Sequence, residues 1–455
     1  MKNLCEFENL NLDSFGISVP EILLPKNIDT KTWSVIACDQ YTQDRAYWKK
    51  AEEIASQNPS TLNLILPEIY LNAEDKPKRI EKIKKTMKEY LSPSANIFDE
   101  PKKCMIYLER KTNFGRTRKG LVAQIDLETY EWKPFSKANI RATEATIMER
   151  IPPRKEIRKG ASLELPHIML LVDDKENLLI EKSGSLVKNK KPLYSGELMC
   201  NGGYITGWAI ESESEIENVT KAVKKIALEK KDAEGNCFLF AVGDGNHSLA
   251  TAKAVWEEEK NSLIEKGASQ EELLRNPVRY TLVEIVNIYD KGLTFEPIHR
   301  VIFNVDAKDL IKFLAEKLQG TVQEVADKSL LLTNVHKSNA DFGFSYCEDG
   351  KQKYILLKTK ISELAVARLQ LEIDEFLKSK KVAETKPEID YIHGSEEVLK
   401  LGEKENAVGI LLPPIAKDSF FETIKNRGSL PRKSFSMGEA DEKRFYLECR
   451  KLFSE

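Results

Sequence analysis

Cysteine is sparse and unpatterned in this chain: Cys5, Cys38, Cys104, Cys200, Cys237, Cys347 and Cys449 are scattered, odd in total, and never form a C-x-x-C pair. That excludes a disulfide framework and a cysteine-bound zinc, and it points to a reducing compartment. No H-x-x-x-H spacing gives zinc a histidine route, and no G-x-S-x-G elbow offers a serine nucleophile. A dominant charge is missing too, since acids and bases cancel to a net −2 with 31% of residues charged. So balanced a field argues for no nucleic-acid partner and no membrane surface. The basic–aromatic interleaving of single-strand binders is also absent. No run approaches the roughly 18 apolar residues of a membrane span, and the opening MKNLCEFENLNLDSFGISVPEILLP lacks the continuous apolar core of a signal peptide. The expectation is a soluble, cytoplasmic protein.

What is present is apolar material enough, 41% of 455 residues, for two to three domains at roughly 150 residues each. TWSVIACD, residues 32–39, reads as a strand, and TQDRAYWKKAEEIASQN as a helix ended by Asn58-Pro59. RIEKIKKTMKEYLSP has helical spacing at Ile80, Ile83, Met87 and Leu91. CMIYLERKT and RKGLVAQIDLE read as a hairpin, HIMLLVDD as a buried strand, and EIENVTKAVKKIALEKK as an amphipathic helix. Asn276-Pro277 closes a charged stretch, and the domain boundary is placed there, giving residues 1–275 and 276–455. Beyond it YTLVEIVNI, QKYILLKTK and AVGILLPP read as strands, DLIKFLAEKL and AVARLQLEIDEFLKSKK as helices, and two helical segments close the chain. Strands alternate with helices but hairpins intervene, so the class is mixed α+β.

The chemistry concentrates in CFLFAVGDGNHSLATAKAVWEEE, residues 237–259. A strand, a glycine-rich turn and a helix in that order aim backbone N–H groups at an anion. Gly243 and Gly245 permit positive φ and close approach of a ligand. His247, in the first helical turn, can donate to a phosphate oxygen, with Asn246 and Ser248 beside it. Asp244 would repel a bare anion, and fits either as a magnesium ligand or as the acceptor of a substrate hydroxyl proton. The turn is neither a Walker A loop nor a G-x-G-x-x-G dinucleotide turn. N-capping by Asp244 or Asn246 is the plain structural alternative.

AVGDGNHSLATA resembles the A-D-G-H-H-R-Y-x-T-A signature of domain-of-unknown-function family 1015. NPSTLNLILPE, RKGLVAQIDLE, RATEATIMERIPPRKEIR, FEPIHRVI, IDYIHG and LPRKSFSMGE are similar to further elements of that family, in the same order. The Asp-Gly-x-His turn is also similar to that of the ParB/sulfiredoxin-type fold, which includes kinases of free serine. This second resemblance implies a ParB/sulfiredoxin-like nucleotide-binding core, a second α+β domain contributing to the site, and ATP or ADP with magnesium as cofactor. The signature's Arg is replaced here by Ser248, so another basic residue has to supply the bidentate charge.

The candidates for that charge lie at the other matched elements. Arg141, Glu144, Thr146 and Arg154 belong to the spaced basic run, where Pro152-Pro153 allows a helix only from the prolines onward. His299 and Arg300 are adjacent, so an extended backbone would point them to opposite faces and a loop would let them converge. His393 precedes a helix expected from Ser395, and Lys433 stands near the terminus beside Ser434. Asp39, after the first strand, is a candidate general base or metal ligand. His167, against an apolar run, reads as structural and His336 as incidental. Together these make a small-molecule phosphotransferase acting on an amino acid or another hydroxylated metabolite, with room for a homo-oligomer. A non-catalytic nucleotide- or phosphometabolite-binding regulator and a phosphate-ester hydrolase are the alternatives.

Overall fold

The computed structural model describes residues 11–379 and 386–453. Cys5 and the last two lysines of the AVARLQLEIDEFLKSKK helix lie outside the described residues. The chain divides into two compact units, residues 1–293 with 439–455, and residues 294–438.

The first unit is built on a ten-stranded mixed sheet. Its strands in chain order are β1 (Ile17–Ser18), β2 (Met105–Lys111), β3 (Thr117–Asp126), β4 (Tyr130–Glu131), β5 (Ile140–Arg141), β6 (Met169–Val172), β7 (Tyr194–Glu197), β8 (Tyr204–Ile210), β9 (Phe240–Asp244) and β10 (Tyr280–Asn287). Across the sheet they run β7-β8-β2-β3-β10-β6-β9-β5-β4, with β1 paired to β3. The expected hairpin is β2–β3, with Ile106 opposite Val122. β6 runs parallel to β10 and antiparallel to β9, and β9 runs parallel to β5. Apolar packing carries the sheet: β6 and β10 are buried along almost their whole length, as befits strands covered on both faces.

The helices of this unit include α1 (Arg45–Ala55), α2 (Lys76–Leu91), α3 (Ile151–Arg158), α4 (Glu213–Lys230) and α5 (Asn246–Glu265). α1 opens where Asp44 accepts from the Tyr47 amide at 3.0 Å, and α2 buries Ile80, Ile83 and Met87 on one stripe. α4 starts on a capping box between Ser212 and Glu215. α3 begins at the prolines, whose missing N–H groups cost nothing in a first turn.

Three expectations change. TWSVIACD is a short helix, Thr30–Trp33, and then only a two-residue strand, Val35–Ile36. The Ser34 hydroxyl and the Asp29 cap hold that turn, and they outweigh the β-preference of the run. The boundary falls after Leu293 because β10 takes backbone hydrogen bonds from β3 on one side and β6 on the other. The chain does not close on two helices either. Phe445–Tyr446 pairs with Val35–Ile36, and Arg450–Lys451 with Leu163–Glu164. This last segment also carries Arg444 into the interior, where it meets Glu284 at 2.5 Å, with Arg118 on the other side of that carboxylate at 3.2 Å.

The second unit centres on a six-stranded antiparallel sheet of β11 (His299–Phe303), β12 (Thr321–Glu324), β13 (Phe342–Glu348), β14 (Lys351–Lys358), β15 (Glu388–Ile392) and β16 (Ala407–Leu411), in the order β12-β14-β13-β16-β11-β15. Helices α6 (Ala307–Lys317) and α7 (Ala365–Ser379) pack through Phe313 and Phe376, ring centroids 5.3 Å apart. α8 (Ser395–Leu401), α9 (Lys417–Arg427) and a further helix over Lys328–His336 belong to the same unit. The class is mixed α+β.

Candidate active site

β9 ends at Asp244 and α5 begins at Asn246, so the change of direction falls on Gly245, at φ +81°. Side-chain-bearing residues are strained there, and a Cβ would come 3.1 Å from the Cα of Ile168. No side chain caps α5, and its first turn carries no acid. The positive end of a 20-residue helix is therefore not neutralised from within.

The residues of the turn divide their work. Asp244 accepts from the Gly245 amide at 2.9 Å, and its second oxygen lies 3.4 Å from Lys443 Nζ. Asn246 accepts from the Thr143 amide and donates to the Thr143 hydroxyl, both at 3.2 Å. That hydroxyl in turn donates to Val242 O at 2.6 Å. His247 Nε2 accepts from the Ile147 amide at 3.3 Å. This nitrogen is an acceptor, so the donation expected of His247 falls to Nδ1. Asn246 and His247 thus pin the 143–147 loop, which carries Glu144 and Thr146. Thr146 Oγ1 is enclosed, with no hydrogen-bond partner among the described residues.

Ser248, one position on, faces a cavity of about 140 Å³. Glu68, Arg154, His167, Thr251 and Tyr446 line the same space. Arg154 pairs with the Glu68 carboxylate and donates to Arg150 O at 2.8 Å. Burial holds the Glu68 carboxyl above the ordinary carboxylate range. The opposing pull of Arg154 is partly offset by the charge of Asp39. Asp39 itself accepts from the Gln40 side chain at 3.0 Å and acts on the cavity through that charge.

Behind Ser248 runs a chain of hydrogen bonds. The Cys38 amide donates to the Tyr446 oxygen at 3.3 Å, Tyr446 meets His167 Nδ1 at 2.7 Å, and His167 Nε2 meets Ser248 Oγ at 2.9 Å. The Tyr446 hydroxyl reaches both His167 Nδ1 and the Cys38 side chain; where it donates to Nδ1, the imidazole proton sits on Nε2 and points at Ser248. Burial pushes the Tyr446 phenol well up, and it stays protonated. The hydroxyl proton of Ser248 is then directed away from His167.

Five candidates remain. Arg141 is buried in β5, donates to Ala138 O at 2.8 Å and stacks over Phe238 at 4.5 Å. His299, Arg300, His393 and Lys433 all belong to the second unit. There β11 is extended, and the residues neighbouring His299 and Arg300 fill both faces, so both side chains are buried. His299 Nδ1 accepts from the Leu412 amide at 3.1 Å, and burial, with Arg300 beside it, pulls its pKa down to about 4. Arg300 donates to Gln370 at 3.0 Å and sits 5.0 Å over the Tyr391 ring. His393 is exposed just before α8, and Lys433 is exposed in a turn at φ +56°. His167, read as structural, lines the cavity, as do Glu68 and Tyr446, which sequence reasoning passed over. The available signal was a lone acid inside the apolar run LILPEIYL.

Among the described residues no group of three or more His, Cys, Asp or Glu is placed to hold a metal. No helix among them is long and apolar enough to cross a membrane.

A model of the family described as "Protein of unknown function (DUF1015)" matches residues 23–377. Comparison with curated proteins gives no match. Among solved structures, a free serine kinase in complex with AMP is similar at 12% identity and a TM-score of 0.34, over 73% of this chain and 92% of that one. A conserved hypothetical protein from Pyrococcus furiosus gives 13% and 0.33 over 73% and 97%. SbnI with C-terminal truncation from Staphylococcus aureus gives 8% and 0.33 over 70% and 82%.

Proposed function

This chain belongs to DUF1015, a family of proteins of unknown function, and we propose that it transfers a phosphoryl group from a nucleoside triphosphate to the hydroxyl of a small molecule. One observation carries the reading: Ser248, in the first turn of an uncapped 20-residue helix, lines the same cavity as a half-buried carboxylate paired with an arginine. Ser248 links the anion-holding end of α5 to the space that holds the proton acceptor, the pairing that phosphoryl transfer to an alcohol requires.

In this reading the leading amides of α5 and Lys443 hold phosphate oxygens, and the Ser248 hydroxyl faces the acceptor. The acceptor hydroxyl gives its proton to the Glu68 carboxylate as its oxygen bonds to the terminal phosphorus. The bond from that phosphorus to the nucleoside diphosphate breaks, and the diphosphate leaves with the electron pair. Burial raises the Glu68 pKa, which makes the carboxylate a stronger base. Arg154 orients that carboxylate, and the enclosed Thr146 hydroxyl is a further donor beside the turn. One carboxylate, Asp244, fits magnesium only as part of a magnesium–nucleotide complex whose phosphates and waters complete the shell. Bound there, the ion would neutralise phosphate charge.

The test is a thermal-shift series with AMP, ADP and ATP, with and without magnesium, on the wild type, Asp244→Ala and Glu68→Gln. Binding stabilises by mass action. The expected result is a nucleotide shift that Asp244→Ala loses and Glu68→Gln keeps, while Glu68→Gln loses transfer to acceptor. An equal shift in all three proteins moves the nucleotide elsewhere. A shift with no product in any acceptor screen makes the protein a nucleotide-binding regulator, and phosphate release without acceptor makes it a hydrolase.

A further inference from the structure

The cavity beside Ser248 is lined mainly by apolar side chains. Beside Glu68, Arg154, Arg158, Glu164 and His167 its wall includes Leu66, Leu71, Met87, Ile157, Ala161 and Leu163. Leu66, Met87 and Leu163 are almost fully buried, so this wall is part of the permanent core of the unit.

The charges that line the space are already paired. Glu68 holds Arg154. Glu164 holds Arg158 at 2.6 Å and also Arg450 at 2.8 Å. A zwitterionic guest would have to break one of these partly buried pairs to place its own ammonium or carboxylate, an unfavourable exchange. A neutral guest displaces nothing. Its hydroxyl needs only a donor and an acceptor, and Ser248 and Glu68 supply one each.

Volume limits the rest of the guest. The half-open space admits about 140 Å³, close to the roughly 150 Å³ cavity that holds one benzene, so a body of about six carbon atoms fills it and a longer one reaches its open side.

We propose that the cavity selects as acceptor a neutral aliphatic alcohol of about five or six carbons, its body against the Leu66–Met87 wall and its hydroxyl between Ser248 and Glu68. This deepens the phosphotransfer reading and rests on it for the identity of the reaction. It replaces the amino acid expected from sequence. The selection itself is a binding property, readable without turnover. Each methylene that enters the wall contributes about fourfold in affinity, and the gain stops when the space is full.

The test measures Kd by thermal shift of the full chain with 1-propanol, 1-butanol, 1-pentanol, 1-hexanol and 1-octanol, with serine and glycerol alongside, and with ADP as a separate arm. The expected result is a tightening of about fourfold per carbon that levels off near six carbons, with serine and glycerol at least tenfold weaker than 1-pentanol. Ala161→Leu and Leu71→Phe each fill part of the space, and either folded variant should end the series one to three carbons earlier with the ADP shift unchanged. That comparison separates cavity binding from a general solvent effect of alcohols. Binding of serine or glycerol as tight as 1-pentanol, or a series the two variants leave unaltered, overturns the proposal. An ADP shift without the carbon ladder refutes the alcohol and leaves phosphotransfer standing. A ladder without any nucleotide shift does the reverse.

Discussion

Replacing Glu164 by Gln removes one charge from a buried triad and leaves two guanidiniums facing a neutral amide. Glu164 Oε2 receives Arg450 Nε at 2.9 Å, Arg450 Nη2 at 2.8 Å and the Leu282 amide at 3.2 Å. Its other oxygen receives Arg158 at 2.6 Å and the Thr281 hydroxyl. Burial opposes the charge, but Arg158, Arg450 and that hydroxyl outweigh it and hold the carboxyl at about 2. Against an ordinary 4.5, the shift corresponds to about 3 kcal/mol at 1.36 kcal/mol per unit. The folded value is the depressed one, so this stabilisation is fully present above pH 4.5 and is lost as pH falls through 2. Breaking such a pair at pH 7 costs about 3–5 kcal/mol.

The assay is built into the chain. All five tryptophans, Trp33, Trp48, Trp132, Trp208 and Trp256, precede residue 294, so their fluorescence reports the first unit. With a urea m-value of about 3 kcal/mol per molar, Glu164→Gln should lower the midpoint by about 1 M at pH 7. The gap between variant and wild type should close as pH falls from 5 toward 2. A midpoint change below about 0.3 M at pH 7, or parallel acid losses in the two proteins, refutes the reasoning.

Gly245→Ala should cost about 1–2 kcal/mol for the left-handed backbone, visible as a lower urea midpoint, and should also abolish the ADP thermal shift. Tyr446→Phe strands the Cys38 amide and His167 Nδ1, at about 1–3 kcal/mol. Nitrogen-15 NMR should find the His167 proton on Nε2 in the wild type and partly on Nδ1 in the variant. His299 should stay neutral by NMR to about pH 5. Its folded pKa of about 4 lies below the ordinary 6.5, so its contribution is full above pH 6.5 and lost as pH falls through 4. Circular dichroism in urea at pH 7 and pH 4 checks that loss, which reaches about 3 kcal/mol. Arg300→Ala should lower the far-ultraviolet transition by about 1–3 kcal/mol. No change there would mean that Arg300 is not the buried anchor its Gln370 and Tyr391 contacts imply.

Local periodicity carried most of the fold. The stripe at Ile80, Ile83 and Met87, the β2–β3 hairpin and the turn into α5 all stand where spacing put them. The two-residue strands Val35–Ile36 and Phe445–Tyr446 exist because they pair with each other across the chain, which no window of sequence can register. The site divided along the same line. Gly245 was legible because a turn demands a residue type, whereas Glu68 and His167 gained their roles from partners far away in sequence. His299 and Arg300 drew attention as an adjacent His-Arg pair, yet the strand they lie in buries both.

Residues 439–452 return to the first unit after the whole of the second has been made. They bring Arg444 to Glu284, Tyr446 to His167 and Arg450 to Glu164. During synthesis the first unit therefore waits, its central acids without their cations, while the intervening segment is translated and free to fold ahead of it. A pause or a nick before residue 439 leaves an open sheet that chaperones and proteases will meet first.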